Sequence, residues 1–253
     1  MNAKGAAPGL SVIGLCKRYG ETVALSDVSI DFRAGAVHAI LGENGSGKST
    51  LVKLLSGVVA KDSGEIVVAG ASFHGREPRD FLAAGFATVF QEVLVAPDRD
   101  VIDNVLLGMD DMFRRRIPRR EREPWVRAIL SKISRAPMAL DAALGDLPLA
   151  QRQLVVIARA LAREPRVLIL DEATAALDHA DREAVFQEVE RRARAGCLVL
   201  FISHRRDEVT RLSDRISVLR AGSLVGTGAR DEASVEDLLA MMAREPALEA
   251  AHV

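Results

Sequence analysis

Five short apolar runs punctuate the chain: Val37–Leu41, Phe86–Phe90, Val167–Leu170, Leu198–Ile202 and Ile216–Leu219. They are continuously apolar or nearly so, so each predicts a strand covered on both faces, as in a parallel sheet. Amphipathic stretches lie between them: Ser49–Ser56, Ala150–Arg163, Asp181–Arg194 and Arg205–Leu212. Alternation of the two patterns predicts an α/β fold. The first residues read differently. Leu10–Tyr19 and Val23–Phe32 alternate apolar and polar positions around Gly20-Glu21-Thr22, which predicts an antiparallel pair. Glu65–Ala69 and Ile216–Leu224, the latter turning at Arg220-Ala221-Gly222-Ser223, are expected to extend that layer. Residues 92–163 are helical in pattern almost throughout. They predict a helical subdomain inserted between α/β core segments of about 1–91 and 164–243. Val235–Met242 predicts a last helix, with a linker over 244–253.

Composition narrows this picture only slightly. The 253 residues suit one large domain. With a formal net charge of -1, nothing draws the whole chain toward nucleic acid, and no nucleic-acid partner is expected. The one strongly basic stretch, Arg114–Arg127, reads as a solvated helical face. Cys16 and Cys197 match no metal-ligand spacing and read as ordinary buried thiols in a reducing compartment. The longest apolar run, Cys197–Ile202, is far short of the ~20 residues of a membrane span. Met1–Gly9 has no apolar signal core. The expected location is the cytoplasm, with any membrane role exercised through a partner.

The candidate chemistry begins at the end of Val37–Leu41. Gly42-Glu43-Asn44-Gly45-Ser46-Gly47-Lys48-Ser49-Thr50 fits G-x-x-x-x-G-K-[ST], between a predicted strand and a predicted helix. Glycines let backbone N–H groups curl around phosphate oxygens, and the helix start adds unpaired N–H groups. Lys48 offers a point charge to the β and γ phosphates, and the Ser49 hydroxyl suits Mg²⁺. ATP and Mg²⁺ are the expected cofactors. Asp171 and Glu172 close the run Val167–Leu170. Asp171 is placed to face the metal's water shell, and Glu172 to polarise an attacking water. His204 follows Leu198–Ile202 at the ligand edge of such a sheet. It could donate to a terminal phosphate. A histidine opening the next helix fits equally well on local grounds.

Together these residues resemble the ABC ATPase family over nearly the whole chain. The resemblance implies a P-loop NTPase with a RecA-like core sheet, an antiparallel β layer and an inserted helical subdomain. By the same resemblance Tyr19 matches the aromatic residue that stacks on adenine, and Gly42–Thr50 matches Walker A. Gln91 matches the glutamine that touches Mg²⁺ and senses the membrane partner. Asp171 and Glu172 match Walker B and its catalytic acid, Asp178 the D-loop aspartate, and His204 the switch histidine. Ser49, Gln91 and Asp171 would then hold the metal. Gly42–Gly45, Phe90-Gln91-Glu92, Asn104–Gly108, Ala150–Gln153, Ala173–Leu177 and Ile202–Arg205 look like monosaccharide-importer ATPases, in particular their first half. The implied partners are integral-membrane permease subunits, a second ATPase half or copy, and indirectly a periplasmic or extracellular solute-binding protein. The chain would sit on the inner face of the membrane through the permease.

One motif departs from the family. The signature, usually Leu-Ser-Gly-Gly-Gln, reads Leu147-Pro148-Leu149-Ala150-Gln151. In the family this loop binds the γ-phosphate held by the opposing unit. Pro148 removes a hydroxyl and an N–H, while Leu149 and Ala150 add side chains where backbone should approach. Two competing readings remain. One is a soluble ABC ATPase without a transport role. The other is a regulatory half-unit that binds ATP and hydrolyses little. The 59 residues between Gln91 and Gln151 leave no room for the long coiled coil of DNA-repair relatives.

Overall fold

A computed structural model describes residues 8–109 and 118–230, without the side chains of Pro8 and Arg119. The expected helix Val235–Met242, the linker 244–253 and the basic residues Arg114–Arg116 lie outside the described residues. No described helix is long and apolar enough to cross a membrane.

The larger sheet has six strands: β3 (Val37–Leu41), β6 (Phe86–Val89), β7 (Val167–Asp171), β8 (Leu198–Ile202), β9 (Arg215–Arg220) and β10 (Ser223–Ala229). Their order is β10-β9-β3-β8-β7-β6. All neighbours are parallel except the β9–β10 hairpin. The five apolar runs thus became its parallel strands, and their residues alternate between two cores. Leu168 and Leu170 of β7 face one core, and Val167 and Ile169 face the other. The first core is closed by α3 (Val101–Val105), α4 (Arg119–Ile133), α5 (Leu149–Ala162), α6 (His179–Arg194) and α7 (Arg206–Leu212). The second is closed by α1 (Lys48–Leu55) and a four-stranded antiparallel sheet. That sheet is built of β1 (Pro8–Tyr19), β2 (Thr22–Arg33), β4 (Ser63–Val68) and β5 (Ala71–Ser72), in the order β2-β1-β4-β5.

Three sequence readings need correction. The hairpin β9–β10 was expected to extend the antiparallel layer, but β9 pairs in parallel with β3 and belongs to the larger sheet. Its turn nevertheless ties the layers together: Ser26 N–H donates to Gly222 O at 2.8 Å and Gly222 N–H to Ser46 O at 3.1 Å. The second concerns α2 (Pro78–Ala83), a helix the periodicity did not predict. It starts with a proline in its first turn and a reciprocal Glu77–Asp80 capping box, and buries only Phe81. The third concerns the thiols: the structure buries Cys197 but only partly covers Cys16.

His38 lies fully buried on β3. Its Nε2 is 2.8 Å from Ser217 Oγ, and its ring meets Phe32 edge-on at 4.8 Å. Burial first, then Arg215 and Arg33, pushes its pKa from 6.5 down to about 3. Between those values the unfolded chain binds a proton that the folded one refuses. Stability is therefore full above pH ~6.5 and falls as pH drops toward about 3. Folding stability is expected to fall by roughly 2 kcal/mol between pH 7 and pH 5 on this account. The measurement is urea denaturation at both pH values, and His38→Gln should flatten the slope. Equal slopes in both proteins would remove His38 as the cause.

Candidate functional site

Because β3, β6, β7 and β8 are parallel, their carboxyl ends share one edge. Each end carries a residue singled out above. β3 runs into Gly42–Gly47, β6 precedes Gln91, β7 ends on Asp171 and leads to Glu172, and β8 leads to Ser203 and His204. The register fixes them together: Asp171 lies opposite Ile202, and Glu172 N–H donates to Ile202 O at 2.9 Å.

The glycine loop is held by close packing. A Cβ on Gly42 would stand 2.3 Å from Ser46 Oγ and 2.4 Å from Leu219 O. Gly47 has φ 105, and a Cβ there would meet Ala24 O at 2.6 Å. Both positions therefore require glycine. The first helical hydrogen bond of α1 is Leu51 N–H to Gly47 O at 2.9 Å. The amides before it lack helical acceptors and face the cleft as potential anion donors. Lys48 is buried, and its Nζ donates to Gly42 O at 2.7 Å and Glu43 O at 2.8 Å. Desolvation lowers its pKa, against the opposing pull of Glu172 and Asp171.

A cleft of ≈ 330 Å³ opens here, lined by Thr22–Ala24, Asn44–Thr50, Gln91, Asp171 and Glu172. Asp171 is buried, and desolvation followed by the Glu172 charge raises its pKa to about 6. Glu172 stands between two side chains. Gln91 Nε2 donates to its Oε2 at 3.4 Å, and His204 Nδ1 lies 3.4 Å from its Oε1. Its backbone is left-handed, with φ 50. The alternative for His204, that it caps the next helix, does not describe what is seen. The residue before α7 is Arg205, and the His204 ring is largely exposed beside Glu172.

The donors fit a magnesium nucleotide. Free amides and Lys48 meet the requirements of phosphates. The Ser49 hydroxyl, the Gln91 amide and one carboxylate, Asp171, suit a hard cation that takes its remaining ligands from phosphate and water.

The other expected residues take different places. Tyr19 does not line the cleft, but its cross-strand partner Thr22 does, which sets Tyr19 at the rim. Its ring is half exposed, with Lys17 Nζ 5.6 Å from the centroid. Leu147–Gln151 and Asp178 do not line this cleft either. Pro148 caps α5, Leu149 is 57% exposed, and Arg152 Nε fixes the loop by donating to Leu147 O at 2.7 Å. Asp178 caps α6, its Oδ1 accepting from Asp181 N–H at 2.8 Å. The sequence reading missed the cleft wall at Thr22–Ala24. The signal available was its adjacency to the Tyr19 turn.

The family described as ABC transporter matches residues 25–175. A ribose import ATP-binding protein of Rhizobium johnstonii is 41% identical over 229 residues, covering 89% of this chain and 45% of the relative. One from Escherichia coli O157:H7 is 38% identical over 239 residues, covering 94% and 47%. The chain thus spans about half the length of the curated relatives it matches. Among solved structures, an ATP-binding cassette of an ABC transporter in its ADP conformation aligns with TM-score 0.78 and 26% identity, over 95% of this chain and all of that one. A nucleotide-free cassette aligns with TM-score 0.78 and 25% identity, over 92% and 95%.

Proposed function

The chain belongs to the ABC transporter family, and from that premise we propose that it is an ATP-binding and ATP-hydrolysing half of an importer for a monosaccharide or related small solute. The observation that carries the proposal is the meeting of the glycine loop, Gln91, Asp171, Glu172 and His204 at one sheet edge. The similarity to ribose import proteins directs the solute assignment toward sugars.

Within this reading the chain is one ATPase domain, with a helical subdomain of about 92–163 set into an α/β core. ATP lies along Asn44–Thr50, its base toward Tyr19 and its phosphates on the loop amides and Lys48. Ser49, Asp171 and Gln91 would hold Mg²⁺, which would supply positive charge beside the phosphates. Glu172 accepts the proton of the attacking water, and His204 steadies the carboxylate and the departing phosphate. Permease subunits find a docking place beside Gln91. A groove of ≈ 220 Å³ lined by Leu82, Phe90, Leu94 and the stems of Arg159 and Arg163 lies there, and Leu82 and Leu94 are exposed large apolar residues. A second ATPase half would supply the signature facing this cleft, and a solute-binding protein would act through the permease. The chain would then lie on the cytoplasmic face of the membrane.

Nucleotide binding tests the base of this reading. Lys48→Ala removes a buried cation bonded to the loop carbonyls and should weaken Mg·ATP affinity at least tenfold, on the scale of a lost charged hydrogen bond. Titration calorimetry on the purified chain measures this directly. Affinity equal to that of the unaltered chain would dismiss the phosphate loop as the binding element.

A further inference from the structure

Glu208 lies in the first turn of α7, where an acidic residue would ordinarily face water. Instead it is 2% exposed. Thr174 Oγ1 donates to its Oε2 at 3.0 Å, and Ser203 Oγ donates to the same oxygen at 2.7 Å. Both hydroxyl residues are themselves buried. Arg205 Nε lies 3.4 Å and Arg182 Nη1 3.8 Å from the other oxygen, Oε1. Ser203 also accepts from Arg205 N–H at 3.1 Å, which closes the turn after β8.

The partners locate what this carboxylate holds. Thr174 is two residues beyond Glu172, in the turn that places Glu172 at its left-handed φ. Ser203 directly precedes His204. Arg182 lies in the first turns of α6, the helix capped by Asp178. One buried oxygen thus fastens the two loops that carry Glu172 and His204, and its twin faces the helix that follows the D-loop. A buried carboxylate is costly unless paired and hydrogen-bonded, and here the pairing joins the segment 174–182 to the turn and helix start at 203–208.

We propose that Glu208 is a positioning residue for ATP hydrolysis, holding the turn after Glu172 and the turn before His204 in one register. It does not line the nucleotide cleft. It acts by keeping the Glu172 carboxylate and the His204 ring 3.4 Å apart. The inference rests on the proposed roles of Glu172 and His204.

The test is steady-state hydrolysis by the assembled transporter, with Mg·ATP affinity and thermal midpoint measured on the same preparations. Glu208→Ala frees both turns. It is expected to lower kcat about 10- to 100-fold, the scale of a small misplacement of reacting groups, with KM and nucleotide affinity changed less than threefold. Glu208→Gln keeps an oxygen for both hydroxyls and should recover most of the rate. Thr174→Val and Ser203→Ala should each reproduce part of the loss. Glu172→Gln serves as the control. If Glu172→Gln abolishes turnover while a folded Glu208→Ala keeps kcat within twofold, the positioning role is refuted. It is equally refuted if KM rises in step with the fall in kcat, or if Glu208→Gln is no better than alanine. If Glu172→Gln itself hydrolyses normally, the fault lies in the functional reading beneath.

Discussion

Glu172→Gln is expected to keep Mg·ATP affinity and to lose about 10²-fold or more of its turnover, the scale of a missing general base. The exchange is close to isosteric. A glutamine keeps an oxygen that Gln91 Nε2 can reach and leaves the backbone hydrogen bond to Ile202 O in place. The Lys48 amine and the loop amides, which carry phosphate binding in this reading, are untouched. What disappears is a basic oxygen able to accept a proton at the strand end. The effect should therefore divide sharply: an unchanged dissociation constant and a collapsed rate. Phosphate release from the assembled transporter measures the rate, and calorimetry measures the affinity. An assembled variant that turns over at the normal rate would show that Glu172 is not the base.

The second large effect concerns the loop at the start of α5. The isolated chain is expected to bind ATP and to hydrolyse it poorly. A pair of these chains would offer each nucleotide only Leu147-Pro148-Leu149-Ala150-Gln151 from across the interface. Pro148 has neither hydroxyl nor N–H, and the exposed Leu149 side chain stands where close backbone approach is needed. Arg152 ties the loop to Leu147 O and Gly145 O, so it has little freedom to adapt. Preorganised donors to developing charge are each worth ~2.7–4 kcal/mol, so two lost donors account for a rate reduced by several orders of magnitude, less whatever water restores. Pro148→Ser with Leu149→Gly and Ala150→Gly, or addition of a second half with an intact signature, should raise phosphate release at least tenfold. A purified chain that already turns over briskly, and that neither change improves, would indicate a self-sufficient homodimer instead.

The parts legible in the sequence share a physical character. The glycine loop, Lys48 and the Asp171–Glu172 pair are local patterns between a strand and a helix, and the structure sets them there. The parallel strands were legible because burial on both faces leaves continuous apolar runs. Asp178, read as the D-loop aspartate, also caps α6 through its side chain, a role the sequence reading did not assign. What else escaped was mostly non-local. The apolar run Ile216–Leu219 fits the parallel sheet while the hairpin that continues it fits the antiparallel layer, and nothing local decides between the two. α2 escaped because a helix of six residues with one buried side chain has almost no periodicity. Glu208 was invisible because an acid in a first turn reads as a surface charge. Only the approach of the distant Thr174 turn to its own neighbouring Ser203 turn reveals otherwise.

The left-handed backbone at Glu172 has a consequence for any effort to improve or preserve this protein. A residue with a Cβ gives up roughly 1–2 kcal/mol to adopt that conformation, a cost that glycine escapes and that asparagine offsets in part through local hydrogen bonds of its short side chain. The fold would be better served by either of them at 172. A library sorted for heat tolerance alone should therefore enrich Gly or Asn at this position and return sturdy, nucleotide-loaded, idle proteins. Under the proposed role of Glu172, the identity of residue 172 would then mark, before any assay, which copies keep the base.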